Sequence, residues 1–531
     1  MRKILIATLL GMALLVTSLS GCGADKPGKF DSSTEVKNSS VSDAKGKEAE
    51  TADETEELVE IVWQWPGTPG EGLQEVEDAL NEMTEKDIGV HVTLYPMLDY
   101  DTQLALDVGT GIQIDLCVSI GSDAFYSKIN DGLIIPLDDY LEYTADIKED
   151  CKDTYNAGQY KGIYYGFPLA YYCSNGYGIT VEKEVADKYG IMVKEEEVDL
   201  YVNRTIEEIE EWFATVKAGE GEKYYPFAPD VYTAIPLFSA YGEIDTLAGG
   251  SVASGVLLLH ESFENTTIEN LFASDLYEEY AYRMYDWAQK GYISKDASAN
   301  TTGKNELLGA GTHWAFPTWV GSDTIRLEYS WINGKDAYSF SMIEPYKRSS
   351  ELLNVVWSVP ASSGNPAKAV ETLNYIYKND AAAHLLQFGI EGRDYEILKT
   401  EVGSDGKNYS QFKFMSDDPS SLPYYQPLGI YGDRFSWPVT HGDPALEADW
   451  RLLEEGYNAS PAMGYVFIKD GVEEKIGAIN SVISQYVPTI NCGAANPAVI
   501  LPEFIDALKK AGIDEVIAEN QRQFDEWLAL Q

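Results

Sequence analysis

The sequence predicts an α/β protein of two lobes, and three observations carry that expectation. From residue 58 to about 130, strand-period and helix-period stretches alternate as β-α-β-α-β, the order of a parallel sheet covered on both faces. Tyr160–Tyr177 (YKGIYYGFPLAYYCSNGY) then mixes Tyr160, Tyr164, Tyr165, Phe167, Tyr171, Tyr172 and Tyr177 with glycines and Pro168. That composition suits an extended crossover between lobes; a buried strand followed by a turn is the other reading. Beyond it the chain becomes more helical and carries a further short apolar strand, Val355–Pro360.

In the first region, Leu58–Trp65 reads as a strand with Val59, Ile61, Trp63 and Trp65 on one face. A PGTPG turn leads to a helix whose stripe is Leu73, Val76, Ala79/Leu80 and Met83. Val90–Met97 is the second strand, Tyr100–Val108 a short helix and Ile114–Ile120 a third, almost wholly apolar strand. Gly121-Ser122-Asp123 opens another helix, where an acid also favours the helix start. Ligands of such sheets sit beyond the carboxyl ends of the strands, which places Gln64, Trp65, Ser122 and Asp123 at one rim.

After the crossover, Thr205-Ile-Glu-Glu208 fits a capping box, and Ser274 is placed to cap a helix carrying Leu276, Tyr280, Met284 and Trp287. In His313–Ser322 an apolar strand is expected to end at Pro317, with Trp319 free of any helical period in the loop that follows. Asn365-Pro366 has the form of a helix start. Gly389–Tyr395 is a compact charged turn in which Glu391 and Arg393 read as a structural pair, with rim groups as the other reading. The chain closes with helices on Phe504, Leu508, Val516/Ile517, Phe524 and Trp527, with Gly512 suited to end the first.

The N-terminus has its own signature. Arg2 and Lys3 precede the apolar run Ile4–Val16, a secretory signal too short to be a lasting span. Leu19-Ser20-Gly21-Cys22 resembles the bacterial lipobox, so residues 1–21 are expected to be cleaved and Cys22 to become a lipid-modified N-terminus. A plain secretory signal with an incidental cysteine is the alternative. Residues 22–57, poor in apolar groups, read as a disordered tether, leaving the mature domain outside the cell membrane and held by acyl chains.

The formal net charge of −47 sets the chain against nucleic acid and, more weakly, against a strongly anionic substrate. Cys117, Cys151, Cys173 and Cys492 have no metal-site spacing, and the sequence leaves their bonding open. The five histidines show no paired-ligand spacing, so neither a metal nor a cofactor is expected.

Several stretches, in order, resemble the extracellular solute-binding proteins of bacterial ABC importers, in the carbohydrate-binding family that includes maltose-binding protein. They are the lipobox, IVWQWPGTPG, IDLCVSIGSDAFYSKINDGLIIPLDDYL, YKGIYYGFP with YGITVEKEVADKYG, and NPAKAVETLNYIYKND. GIEGRDYE, YGDRFSWP, SPAMGYVF and AGIDEVIAENQRQFDEW further resemble a subgroup of Gram-positive lipoproteins. The resemblance implies a two-lobe, type II periplasmic-binding-protein-like fold with a ligand cleft and a hinge of more than one strand. It implies crossings near Leu169–Ser174 and Val355–Pro360, one lobe of 58–170 plus about 355–390, and another of 171–354 plus about 391–531. A tryptophan that stacks on sugar in this family maps to Trp319. The chain departs from the pattern with Gly432-Asp433-Arg434-Phe435 in place of a Gly-Asn-Gln-Phe-like run.

By this resemblance the protein is a binding protein and not an enzyme. Trp65, Tyr171, Tyr172, Trp319 and Trp357 are expected to stack on sugar, with Gln64, Ser122, Asp123 and Arg434 bonding hydroxyls. Its partners would be a small-molecule or oligosaccharide ligand and membrane permease subunits, with the protein itself a monomer. The rivals are an exported glycoside hydrolase, which needs a carboxylate pair that no spacing singles out, and a binder of another solute such as a peptide.

Overall fold

The computed structural model describes residues 58–531 except 169–173, 192–203, 230–241, 300–303, 321–328, 333–334, 404–405, 407, 417–420, 427–455 and 531. Cys22, Tyr171, Tyr172, Cys173 and Arg434 therefore lie outside the described residues.

The first lobe is built on β1 (Val59–Pro66), α1 (Leu73–Ile88), β2 (Val90–Met97), α2 (Tyr100–Thr110), β3 (Cys117–Ile120) and α3 (Ser122–Asn130). β1 and β2 pair in parallel from Val59↔Val90 to Pro66↔Met97. Leu116 joins the other side of β1 in the parallel sense, its N–H donating to Val62 and its carbonyl accepting from Gln64 N–H at 2.9 Å. Two short strands extend this sheet with a change of sense. Val355–Ser358 runs antiparallel to β3, and Phe167–Pro168 runs antiparallel to it in turn. The alternation of strands and helices implies the parallel part; the antiparallel additions come from chain that leads into the crossover and from chain that returns from the other lobe.

Side chains close this lobe where backbone would be left unpaired. β2 is an edge strand, and Asn81 of α1 reaches it with both ends of its amide: Nδ2 donates to Val92 O at 2.9 Å and Oδ1 accepts from Val92 N–H at 2.7 Å. The Tyr100 hydroxyl brackets Val118 in the same way, at 2.7 and 2.8 Å.

The second lobe centres on the strand Ser174–Glu182. It lies between Lys335–Ser341 and His313–Val320, with Tyr329–Ile332 and Tyr225–Phe227 outside them. Gly178 has no room for a side chain, because a Cβ would stand 1.7 Å from Phe340 O. The strand expected to stop at Pro317 continues to Val320, opposite Gly176. Its other neighbour pairs only at His313 and Ala315, so Pro317 lies where no ladder N–H is needed on that side.

The capping box at Thr205, the Ser274 and Asn365 caps and the Gly512 stop all form as the sequence implies. Three helices, Glu473–Asn491, Pro497–Ala511 and Ile513–Leu528, complete the second lobe.

Among the described residues two large hydrophobic cores result, beside a small cluster of Ala228, Leu308 and Phe316. One gathers Trp63, Phe125, Phe167, Trp357 and Ile376; the other gathers Tyr177, Phe213, Trp287, Trp314, Phe504 and Phe524. The chain leaves the first core after Pro168, meets it at Ala248, and comes back to it between Tyr346, in the second core, and Leu352, in the first. Tyr424, in the part of the chain that the resemblance gives to the second lobe, packs in the first core. Buried Asp245 ties the second of these crossings: it accepts from Ser349 N–H (2.8 Å), Ser349 hydroxyl (2.7 Å), Ser350 N–H (3.2 Å) and Leu247 N–H (2.9 Å).

Cys117, Cys151 and Cys492 are free and buried. Burial pushes the Cys117 and Cys492 thiols up to about 12. No helix among the described residues is long and apolar enough to cross a membrane.

Candidate ligand-binding site at the lobe junction

The turn after β1 forms one rim and is braced from a distant part of the chain. Gly72 N–H donates to Pro423 O at 2.9 Å, and a Cβ on Gly72 would stand 2.6 Å from the Arg393 guanidinium. Arg393 donates to Asp394 at 2.5–3.1 Å and to Glu75 at 2.6 Å, in place of the expected pairing with Glu391. Asp394 is fully buried and also accepts from Ile390 N–H (2.8 Å) and Tyr424 N–H (3.2 Å). The GIEGRDYE stretch is thus a strut that fixes the rim.

The nine candidate residues fall into three groups. Gln64, Trp65 and Trp357 lie in the first core. Gln64 Nε2 donates to Asp107 at 2.8 Å and holds α2 to the sheet. Trp65 is 3% exposed, and Trp357 is fully buried edge-on to Trp63. These three side chains shape the rim from behind. Ser122 and Asp123 are the first two residues of α3; Asp123 is exposed and pairs with Lys469 of the second lobe. Trp319 lies opposite Tyr177 in the second sheet, which puts its backbone near the end of the central strand; its side chain is outside the described residues, as are Tyr171, Tyr172 and Arg434.

A groove of about 710 Å³ runs between the lobes, lined in part by Ile468, the residue before Lys469. The hairpin around Gln159 and Lys161 forms one wall; Ser460, Tyr465, Gln523 and Trp527 form the other. Of the candidates whose side chains are described, Gln64, Trp65, Ser122, Asp123 and Trp357, none lines it. Tyr465 Oη donates to Asn520 Oδ1 at 2.8 Å, and Gln523 binds both the N–H and the carbonyl of Ile468, at 3.0 and 2.9 Å. Trp527 is half-buried, its ring parallel to that of Phe524 at 5.8 Å. Its helical spacing marks Trp527 as core, and no local pattern reveals that the far side of its ring borders a groove.

A family model described as bacterial extracellular solute-binding protein matches residues 77–391. The chain belongs to that family. A second model, a domain of unknown function (DUF3502), matches residues 461–529, which include Tyr465, Gln523 and Trp527 of the groove's second wall and Lys469. This solute-binding protein is 24% identical over 271 residues to a carbohydrate ABC transporter substrate-binding protein of Streptococcus pneumoniae serotype 4. The match takes in 50% of this chain and 52% of the relative, so the chain spans about half the length of the curated relative it matches.

Solved structures show the same two-lobe, type II fold. The N-glycan transport solute-binding protein NgtS of S. pneumoniae superposes with a TM-score of 0.69 at 20% identity, over 89% of this chain and 99% of that one. NgtS in complex with Man5GlcNAc gives 0.60 at 19% identity, over 90% and 99%. S. pneumoniae FusA in complex with kestose gives 0.57 at 16% identity, over 89% and 100%.

Proposed function

We propose that this solute-binding protein captures an oligosaccharide between its two lobes and delivers it, unaltered, to the membrane subunits of an ABC importer. The observation that carries the reading is the pair of separately packed α/β cores joined by strand crossings, a fold shared along nearly the full length of glycan-bound NgtS. Each lobe holds half a site, so a ligand touching both shifts the lobe equilibrium by its differential affinity for the closed state.

In this reading Ser122 and Asp123 bond hydroxyls from the first lobe. Tyr171, Tyr172 and Trp319 offer ring faces at the crossover and the second lobe, and Arg434 adds donors. Gln64, Trp65 and Trp357 act by holding the rim in place. Cys22 carries the lipid that keeps the monomer at the outer face of the membrane, with residues 22–57 as its tether. The role is binding, without catalysis.

A thermal-shift screen of the protein against mono- and oligosaccharides tests this, since a ligand of the folded state raises the melting temperature by mass action. The proposal expects a shift with an oligosaccharide that is recovered intact. A cleaved glycan would support a hydrolase, and a shift only with peptides would replace the ligand class.

A further inference from the structure

The segment of unknown function, residues 461–529, packs Met463 and Val466 against the first core and also reaches the first lobe through two neighbouring residues of opposite charge. Lys469 pairs with Asp123 at the start of α3. Asp470 accepts from Lys161 Nζ at 2.9 Å and from the Tyr160 hydroxyl at 3.4 Å. The arrangement is reciprocal: each lobe supplies one cation and one anion. We propose that this four-residue clasp is a function of the C-terminal segment, setting how far the two lobes separate when no ligand is bound.

The backbone around the clasp supports the assignment. Tyr160 and Ile163 pair across a two-residue turn in which Lys161 has φ 54° and Gly162 φ 79°. Positive φ at both central residues is the geometry of a type I′ hairpin turn, where Asn, Asp and Gly are favoured and a long cationic side chain is not. Lys161 and Leu247 are the non-glycine residues at positive φ among the described residues. The turn aims Lys161 across the junction, and its ammonium also lies over the Tyr160 ring at 4.7 Å. On the other lobe, Gln523 holds the backbone of Ile468 at both its N–H and its carbonyl, which presents Lys469 and Asp470 together.

Asp123 is also the rim acid of the proposed ligand site, so a hydroxyl that reaches it competes with Lys469. Ligand binding and release of the clasp are then linked through one carboxylate. The clasp itself requires no assumption about which solute binds.

The test reads the lobes directly in ligand-free protein. Spin labels at exposed Glu82 and Glu278 report the inter-lobe distance distribution by pulsed electron resonance. Reversing one side, Lys469→Glu with Asp470→Lys, places like charges opposite each other. At low salt it is expected to change the population outside the wild-type distance by about two- to fivefold per pair, the range of exposed ion pairs. Adding Asp123→Lys and Lys161→Asp should restore the wild-type distribution, and 1 M salt should shrink the difference. A reversed variant with an unchanged distribution overturns the clasp, as does a shift that the fourfold swap fails to restore. Either result leaves the oligosaccharide reading untouched, because no ligand is present.

Discussion

Trp357 meets Trp63 edge to face, with ring centroids 5.2 Å apart and planes at 88°. One ring belongs to β1 and the other to the strand that comes back from the second lobe, so the contact fastens a crossing to the first core.

Because both rings are fully buried, Trp357→Ala is expected to destabilise the protein by about 3–5 kcal/mol through lost burial and a cavity. Chemical denaturation measures this. Unchanged stability with weakened sugar binding would instead make Trp357 a stacking residue.

The Asp245 carboxylate should matter out of proportion to its size. It accepts four hydrogen bonds at a crossing, one of them from the Ser349 hydroxyl, which in turn accepts from Ala248 N–H at 3.3 Å. Asp245→Ala is expected to cost about 1.5–3 kcal/mol, the scale of bonds to a charged group. A loss below 0.5 kcal/mol, a rough threshold for ordinary surface changes, would contradict its bracing role.

Arg393→Ala leaves buried Asp394 without its counter-charge. The expected loss is about 3 kcal/mol or more, in line with breaking a buried pair from one side. Gly72→Ala should cost less, because the guanidinium tip can shift, yet in the same direction. Melting curves of the two variants and their combination give the coupling; strict additivity would mean that Gly72 does not act through Arg393.

His313 supplies a pH dependence. Burial pushes its imidazole down to about 4, with the Asp296 carboxylate opposing the shift. Between the ordinary value near 6.5 and 4, the unfolded chain takes up a proton that the folded chain does not. Stability from this group is therefore full above about pH 6.5 and falls as pH drops through the window, by up to ~3 kcal/mol. Urea unfolding of wild type and His313→Gln at pH 7 and 4.5 tests it. The variant should show the smaller loss; equal slopes would remove His313 as the cause.

The sequence makes the fold far more legible than the site. Hydrophobic period and caps mark local structure, and they place β1, α1, β2, α2 and α3 and the caps at Thr205, Ser274 and Asn365 where the structure has them. Ligand contact is a long-range property. Gln64 lies near the end of its strand and Trp357 in the short strand of a crossing, and both face inward, because Asp107 and Trp63 claim them. Lys469 carries no local mark at all: only folding brings it to Asp123, 346 residues earlier. Arg393 shows the same limit on a smaller scale, since Glu391 is near in sequence but Asp394 and Glu75 are near in space.

The most direct measurement is isothermal titration of the protein with oligosaccharides that shift its melting temperature, with mass spectrometry of the ligand afterwards. The account predicts saturable one-to-one binding, a negative heat-capacity change from burial of ring faces, and a glycan recovered whole. Absence of heat with every glycan tried, or recovery of shortened glycan, would contradict it.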